Sequence, residues 1–546
     1  MLKGKFILPG IIVVFCFGML RAQKVDVVDN TTSRVWVADN GDGTYKNPII
    51  HADYSDPDVI RVGADFYMVA SSFNCAPGLP ILHSKDLVNW KLIGHAFAKQ
   101  IPPDVFSRPQ HGNGCWAPAI RFHKGTYYIY YPDPDFGIYV TRAVNPAGPW
   151  SEPVLVKEAK GWIDPCPLWD DNGDVWLISA LAGSRAGAKS VLVLSKMNAD
   201  GTKVLDDGVI VFDGHANHPT LEGPKFYKRN GYYYISAPAG GVPTGWQLIL
   251  RSKNIYGPYE EKIVLDQGNS PVNGPHQGGW VDTPKGEFWF IHFQDKDAYG
   301  RIIHLQPMKW VNDWPVMGAD QDGNGKGEPV MVYRKPDVGA SFPIVTPAET
   351  DEFNSPALGL QWQWHANRGT NWAFPTGTLG FLRMVCVPLP DNFKNYWDVP
   401  NLLLQKFPAP EFTMTAKLSF KPLYEGDKTG FMVMGMDYAY ISLTKAGDKV
   451  YISQTICKDA NKQSPEAESA RTEVSSENYY LRVKVAEGGI CNFTYSTDGE
   501  RFQSIGEPFK ARKGMWIGAK AGIFASRAVY KPGEAGYADY DWFRVE

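Results

Sequence analysis

The sequence carries almost no net charge: 55 Lys and Arg stand against 58 Asp and Glu, leaving −3. Without a basic face, a nucleic acid or an anionic membrane is disfavoured as a partner. Long hydrophobic runs are also missing. The one candidate, Phe6–Leu20, falls short of the roughly 20 residues of a spanning helix. Behind Lys3 and Lys5 it reads instead as a secretory signal over residues 1–22, cleaved near Ala22. The expected mature protein is exported, periplasmic or secreted, with no transmembrane segment. Cysteines number seven, six of them beyond that leader, and none falls into a C-x-x-C spacing. That argues against a structural zinc, and buried free thiols are expected over disulfides. Capped stretches of helical period are absent as well, which points to an all-β chain.

Aromatics at 13%, 54 Gly and 41 Pro suit a chain of strands and turns. One pattern recurs five times: a polar or acidic residue at a turn, a short apolar strand, a turn with glycine, then a strand heavy in aromatics. The copies lead with Asp56, Trp116, Asp164, Glu222 and His276. Their turn glycines are Gly63, Gly125, Gly173, Gly231 and Gly286, spaced by 62, 48, 58 and 55 residues. This is the period of a four-stranded propeller blade, and it predicts a five-bladed β-propeller over 23–335. Equivalent positions in equivalent blades face one place, so the five leading residues are expected at the mouth of the central channel. From Tyr333 to Ala348 the chain turns irregular and proline-rich, marking a domain boundary. Beyond it, alternating strands such as Phe412–Phe420 and Tyr480–Val485 lack the blade period. They predict a two-sheet β-sandwich over 350–546.

Three of the five leading residues are acids: Asp56, Asp164 and Glu222. Any one Asp-Pro or Glu-Gly-Pro is ordinarily just a turn. Three at one position of a repeat are different, because converging like charges are costly and raise one another's pKa. In a neutral, aromatic-rich chain such a trio fits glycosidic bond cleavage. One carboxylic acid protonates the leaving oxygen, a carboxylate attacks or activates water, and a third acid holds the first protonated. Arg301, on a strand passing near the channel, could hydrogen-bond sugar hydroxyls or a carboxylate. Phe73, ending an aromatic strand, lines the pocket or belongs to the core. The loop Phe106–Gly114 shapes the site without an assigned residue.

These residues resemble glycoside hydrolase family 43. The resemblance rests on Asn47-Pro48, Ser55-Asp56-Pro57-Asp58, Ser84-Lys85-Asp86-Leu87-Val88-Asn89-Trp90, Trp116-Ala117-Pro118, Ile163-Asp164-Pro165 and Leu221-Glu222-Gly223-Pro224. It implies a five-bladed propeller with a concanavalin-like, jelly-roll sandwich appended. The implied enzyme is an exo-acting, inverting glycosidase that removes terminal pentoses from oligo- or polysaccharides such as arabinoxylan, arabinan or xylo-oligosaccharides. Asp56 would be the general base, Glu222 the general acid and Asp164 the neighbour that tunes and orients Glu222. Arg301 would contact the terminal sugar, with Trp116 and Phe73 as the apolar wall. The resemblance leaves His276 either hydrogen-bonding or holding a cation through water. No cofactor is required for the chemistry. A structural calcium in the sandwich, at Asp351 and Asp541, is the one metal expectation. Between α-L-arabinofuranosidase and β-D-xylosidase, the Ser72–Gly78 segment departs from the tryptophan-containing β-xylosidase version and tilts toward the former. The rivals are an endo-arabinanase and a propeller that binds glycan without cutting it.

Overall fold

The computed structural model describes Met1 and residues 31–546; the expected leader lies outside the described residues. Five four-stranded antiparallel sheets form the propeller blades, each built from one continuous stretch of chain. The first comprises Asp58–Val62, Asp65–Val69, Gly78–Ser84 and Trp90–Phe97. The fifth comprises His276–Asp282, Phe288–Asp295, Arg301–Val311 and Trp314–Met317. The turn glycines that mark the repeat all have positive φ, from 65° to 88°. A Cβ would meet nothing within 4 Å at any of them. Backbone handedness, not crowding, therefore sets the repeat's glycine signature.

Because no strand is exchanged between first and last blades, a separate clasp closes the ring. Thr44–Lys46 pairs antiparallel with Val332–Arg334. Asn47 completes it, donating through Nδ2 to the carbonyls of Leu305 and Val330, each at 2.8 Å, while its Oδ1 accepts from the Leu305 N–H. Trp90 sits fully buried in the apolar cluster that joins the first blade, the last blade and the N-terminal segment. Helix is confined, among the described residues, to the four-residue turns Pro103–Phe106 and Gly183–Ala186 and a few 3₁₀ turns.

The sandwich consists of two eight-stranded sheets. Lys428–Met434, Tyr438–Ala446, Lys449–Cys457 and Lys520–Arg527 belong to the first sheet. Phe412–Lys421, Tyr479–Ala486 and Tyr537–Val545 belong to the second. Alternate residues, among them Phe431, Ile441, Leu481, Ile523 and Phe543, are fully buried between the sheets. Ala298, Tyr299 and Ile302 of the last blade join the same apolar cluster, so the two units share one core. Backbone hydrogen bonds between Ala76 and Trp364, at 2.6 and 3.1 Å, bind the sandwich to the first blade as well. All six described cysteines are buried and unpaired.

The calcium expectation is not supported by these residues. Asp351 accepts from the Phe353 and Gly359 N–H groups and from Trp362 Nε1. Asp541 lies on the outward side of its strand and pairs with Lys417 at 2.6 Å. The alternation that buries Tyr540 and Phe543 turns Asp541 away from the core. Among the described residues, no three His, Cys, Asp or Glu form a group that could hold a metal.

Candidate active site

Asp56 and Glu222 sit just ahead of blade strands and Asp164 within one, and left-handed backbone helps to aim them. Ahead of the first blade, Asp56 adopts φ 55°, a left-handed conformation that Asp tolerates better than most residues. In the third blade the pairing slips between Ile163 and Cys166, so that Asp164 and Pro165 together oppose Ser179. Pro165 has no N–H to lose there, and the bulge turns Asp164, with φ 54°, out of the ladder. A second slip between His276 and Gly278 leaves Gln277 bulged in the same way, with φ 42°. Such backbone outliers concentrate where side-chain placement matters more than local stability.

Asp56, Asp164, Glu222, Arg301, Phe73 and Trp116 line a single cavity of about 240 Å³. Asp56 is buried, and its carboxylate orientation is fixed by three donors: Ser55 Oγ at 2.9 Å, Ser71 Oγ at 2.6 Å and Arg301 Nη1 at 2.7 Å. Arg301 is aligned in turn by Phe293, whose ring centroid lies 4.7 Å from the guanidinium carbon. Glu222 is the more open of the two, its side chain 26% exposed against 5% for Asp56. Oε1 of Glu222 lies 3.0 Å from His276 Nε2. The Gly223 N–H donates to Asp164 Oδ2 at 2.7 Å, which locks the two acidic segments together. Glycine is required there: φ is +60°, and a Cβ would come within 2.8 Å of Gln277.

Burial, then the adjacent Glu222 charge, push the Asp164 carboxyl up to about 7, against the opposing pull of the Gly223 N–H. The two carboxylates repel each other, so a proton held near neutrality belongs to the pair. Two further buried groups at the starts of blade strands are paired outside the cavity lining. Asp58 accepts from the Ile120 N–H at 2.9 Å and from Arg121 Nη1 at 2.6 Å. The wholly buried Lys225 donates to the Pro118 carbonyl at 2.9 Å.

The sites predicted from sequence come together, with two qualifications. His276 touches Glu222 instead of lining the cavity wall, its Nε2 lying toward Glu222 Oε1, and among the described residues no three His, Cys, Asp or Glu group to hold a metal. Phe73 is both buried and part of the lining, so the two readings of it were not exclusive.

Three contributors were invisible in the sequence. Trp516, half-exposed, reaches the cavity from the sandwich. The loop Phe106–Gly114 meets it: a Cβ on Gly112 would lie 2.5 Å from the Trp516 ring, and the Gly112 carbonyl accepts from Trp116 Nε1 at 2.7 Å. Asp53 binds the Arg301 N–H and the Gly518 N–H, both at 2.9 Å, which anchors the Trp516 loop beside Arg301. Gln277 is 4% exposed, and its side-chain Nε2 has no partner. The Gly278-Gly279 pair behind it is a signal that could have flagged the bulge.

A propeller whose blades converge a positioned carboxylate, a more exposed acid and a proton-holding neighbour in one sugar-sized cavity is built as a glycosidase. The sequence matches Glycosyl hydrolases family 43 over residues 45–315 and the Beta xylosidase C-terminal Concanavalin A-like domain over 350–546. It is 42% identical over 495 residues to a "Putative beta-xylosidase" of Xylanibacter ruminicola, covering 89% of this chain and 87% of that protein. Identity is 30% to the Non-reducing end alpha-L-arabinofuranosidase BoGH43B of Bacteroides ovatus, over 92% and 94% of the respective lengths. The GH43 BlXynB protein from Bacillus licheniformis shares the fold at TM-score 0.78 and 26% identity, over 92% of this chain and 99% of its own. The chain belongs to glycoside hydrolase family 43.

Proposed function

We propose that the protein is an exo-acting, inverting pentosidase that removes terminal β-D-xylosyl and α-L-arabinofuranosyl units from xylan- or arabinan-type chains, exported to meet them. The carrying observation is that Asp56, Asp164 and Glu222 line one cavity together with Arg301, with Trp516 at its wall. The non-reducing-end arabinofuranosidase name of the relative at 30% identity supports action at chain ends, whereas an endo-acting enzyme needs a passage open at both sides. Asp56, held by Ser55, Ser71 and Arg301, takes a proton from the attacking water. Glu222, beside His276, gives its proton to the leaving oxygen. Asp164 keeps a proton available to the pair and, through Gly223, fixes where Glu222 stands.

The two sugars present similar hydroxyls to these groups, and two lines of support pull apart. Relatives at 42% and 32% identity carry β-xylosidase names, and one at 30% an arabinofuranosidase name. Phe73, where the tryptophan-containing version is absent, favours the furanose. The test is turnover of aryl β-D-xylopyranoside and aryl α-L-arabinofuranoside side by side, with the released anomer followed by NMR. Asp56→Asn and Glu222→Gln should each lose about 10²–10⁴-fold in kcat. Binding without turnover in the wild type would favour a glycan-binding propeller, and release of oligomers from arabinan an endo-arabinanase.

A further inference from the structure

A second cavity, of about 600 Å³, lies in the sandwich at the far end of strand Lys520–Arg527. Lys520 touches Cys75 at the propeller seam, whereas Ser526 lines this cavity. Six residues of strand place it about 20 Å farther from the propeller, outside the active site. It opens on the outer face of the first sheet, the side turned away from the shared core.

Its polar groups are organised as a chain. Lys428 donates from Nζ to Tyr440 Oη at 3.2 Å, and Tyr440 Oη donates to Glu466 Oε2 at 3.1 Å. Tyr438 Oη donates to Glu466 Oε1 at 2.6 Å, and Tyr396 shares a hydroxyl contact with Ser526 at 2.6 Å. Lys428 has this single hydrogen-bond partner for three donors, and burial lowers its pKa. Phe393 and the 68%-exposed Tyr530 supply apolar surface at the rim.

Unspent donors, a carboxylate, hydroxyls and rim aromatics around one volume match the two aspects of a sugar ring, a hydroxyl edge and a C–H face. The Lys428 ammonium is offset by Glu466 through one tyrosine, and Asp391 adds a second carboxylate to the lining, so nothing here selects an anionic sugar. We infer that this cavity is a second glycan-binding site, taking an internal, neutral sugar of a polysaccharide whose chain ends the propeller trims. The inference rests on the proposed glycosidase activity for the identity of that polysaccharide.

The probes are soluble arabinoxylan and xylohexaose, with the full chain carrying Glu222→Gln so that neither is consumed. Retardation in arabinoxylan-containing native gels and titration with xylohexaose should both persist when xylobiose saturates the propeller cavity. Adding Lys428→Ala or Tyr530→Ala should then weaken xylobiose-resistant binding at least fivefold. In the otherwise wild-type chain, the same substitutions should leave kcat/KM on aryl pentosides within twofold. The conservative Glu466→Gln, with unchanged thermal midpoint, guards against a folding artefact and should also weaken binding. Binding wholly abolished by xylobiose, or unaffected by all three substitutions, overturns the inference. Binding to glucuronic-acid-bearing xylan but not to xylohexaose overturns the neutral-sugar assignment. A wild type that turns over aryl pentosides yet fails these tests loses only the second site; one that turns over none loses the proposed function itself.

Discussion

Replacing Asp164 by Asn should make the protein more stable and nearly inactive, with the stability gain depending on pH in a set direction. Burial and the Glu222 charge raise the Asp164 carboxyl from 3.8 to about 7 in the folded chain. A carboxyl with a raised folded pKa binds its proton more tightly when folded. Its contribution therefore favours folding below the unfolded value and turns against folding as pH climbs from about 4 to about 7. At about 1.36 kcal/mol per pH unit, the cost of ionising it in place is about 4 kcal/mol at pH 8. Asparagine occupies the same volume, can still accept from the Gly223 N–H and carries no charge, so this cost disappears. With unfolding entropy of about 2.1 cal/mol/K per residue, the midpoint should rise by roughly 4–7 °C at pH 8, the lower figure applying if propeller and sandwich melt together. At pH 5 the native carboxyl is protonated but the unfolded one has already ionised, so about 1.6 kcal/mol of the cost is present and the midpoint difference should shrink to about 2 °C. Paired melts and urea titrations at both pH values measure this. On aryl pentosides kcat should fall about 100-fold, and the alkaline limb of the pH–rate profile should move to lower pH. A midpoint difference that is absent at pH 8, or equal at both pH values, would refute the electrostatic account of the acid trio.

Further outcomes follow from other side chains. Trp516→Ala should reduce kcat/KM on xylo-oligosaccharides about two- to tenfold by removing one aromatic wall, while leaving the melting curve unchanged. Gln277→Ala should raise KM on aryl pentosides several-fold, the loss of about 1 kcal/mol expected of one hydrogen bond; an unchanged KM would show that its amide does not meet the sugar. Phe543→Ala, in the core of the sandwich, should cost about 3–5 kcal/mol and shift the denaturation midpoint accordingly.

The parts of the site legible in the sequence were those the repeat itself carries. Asp56, Trp116, Asp164, Glu222 and His276 occupy equivalent positions in five copies of one unit, so ring symmetry alone brings them together. Asp53 and Trp516 obey no repeat. Asp53 meets Gly518 across 465 residues of chain, a pairing that exists only once the sandwich has docked. Strand phase was not legible from residue type: Asp541 is one position off the buried face. The sandwich strands were recognisable by alternation, but their order was not, since neighbours such as Lys428–Met434 and Lys520–Arg527 are far apart in the chain.

The ring's seam passes directly through the reaction centre. The segment leading into blade one contributes Asp56 and blade five Arg301, and their ion pair crosses a junction that no blade sheet spans, as does the Arg61–Asp282 pair. A sugar held between Asp56 and Arg301 would act as a rivet, and occupancy should slow opening of the torus at that junction first. Amide exchange across the Thr44–Lys46 ribbon would therefore report on a ligand it never touches.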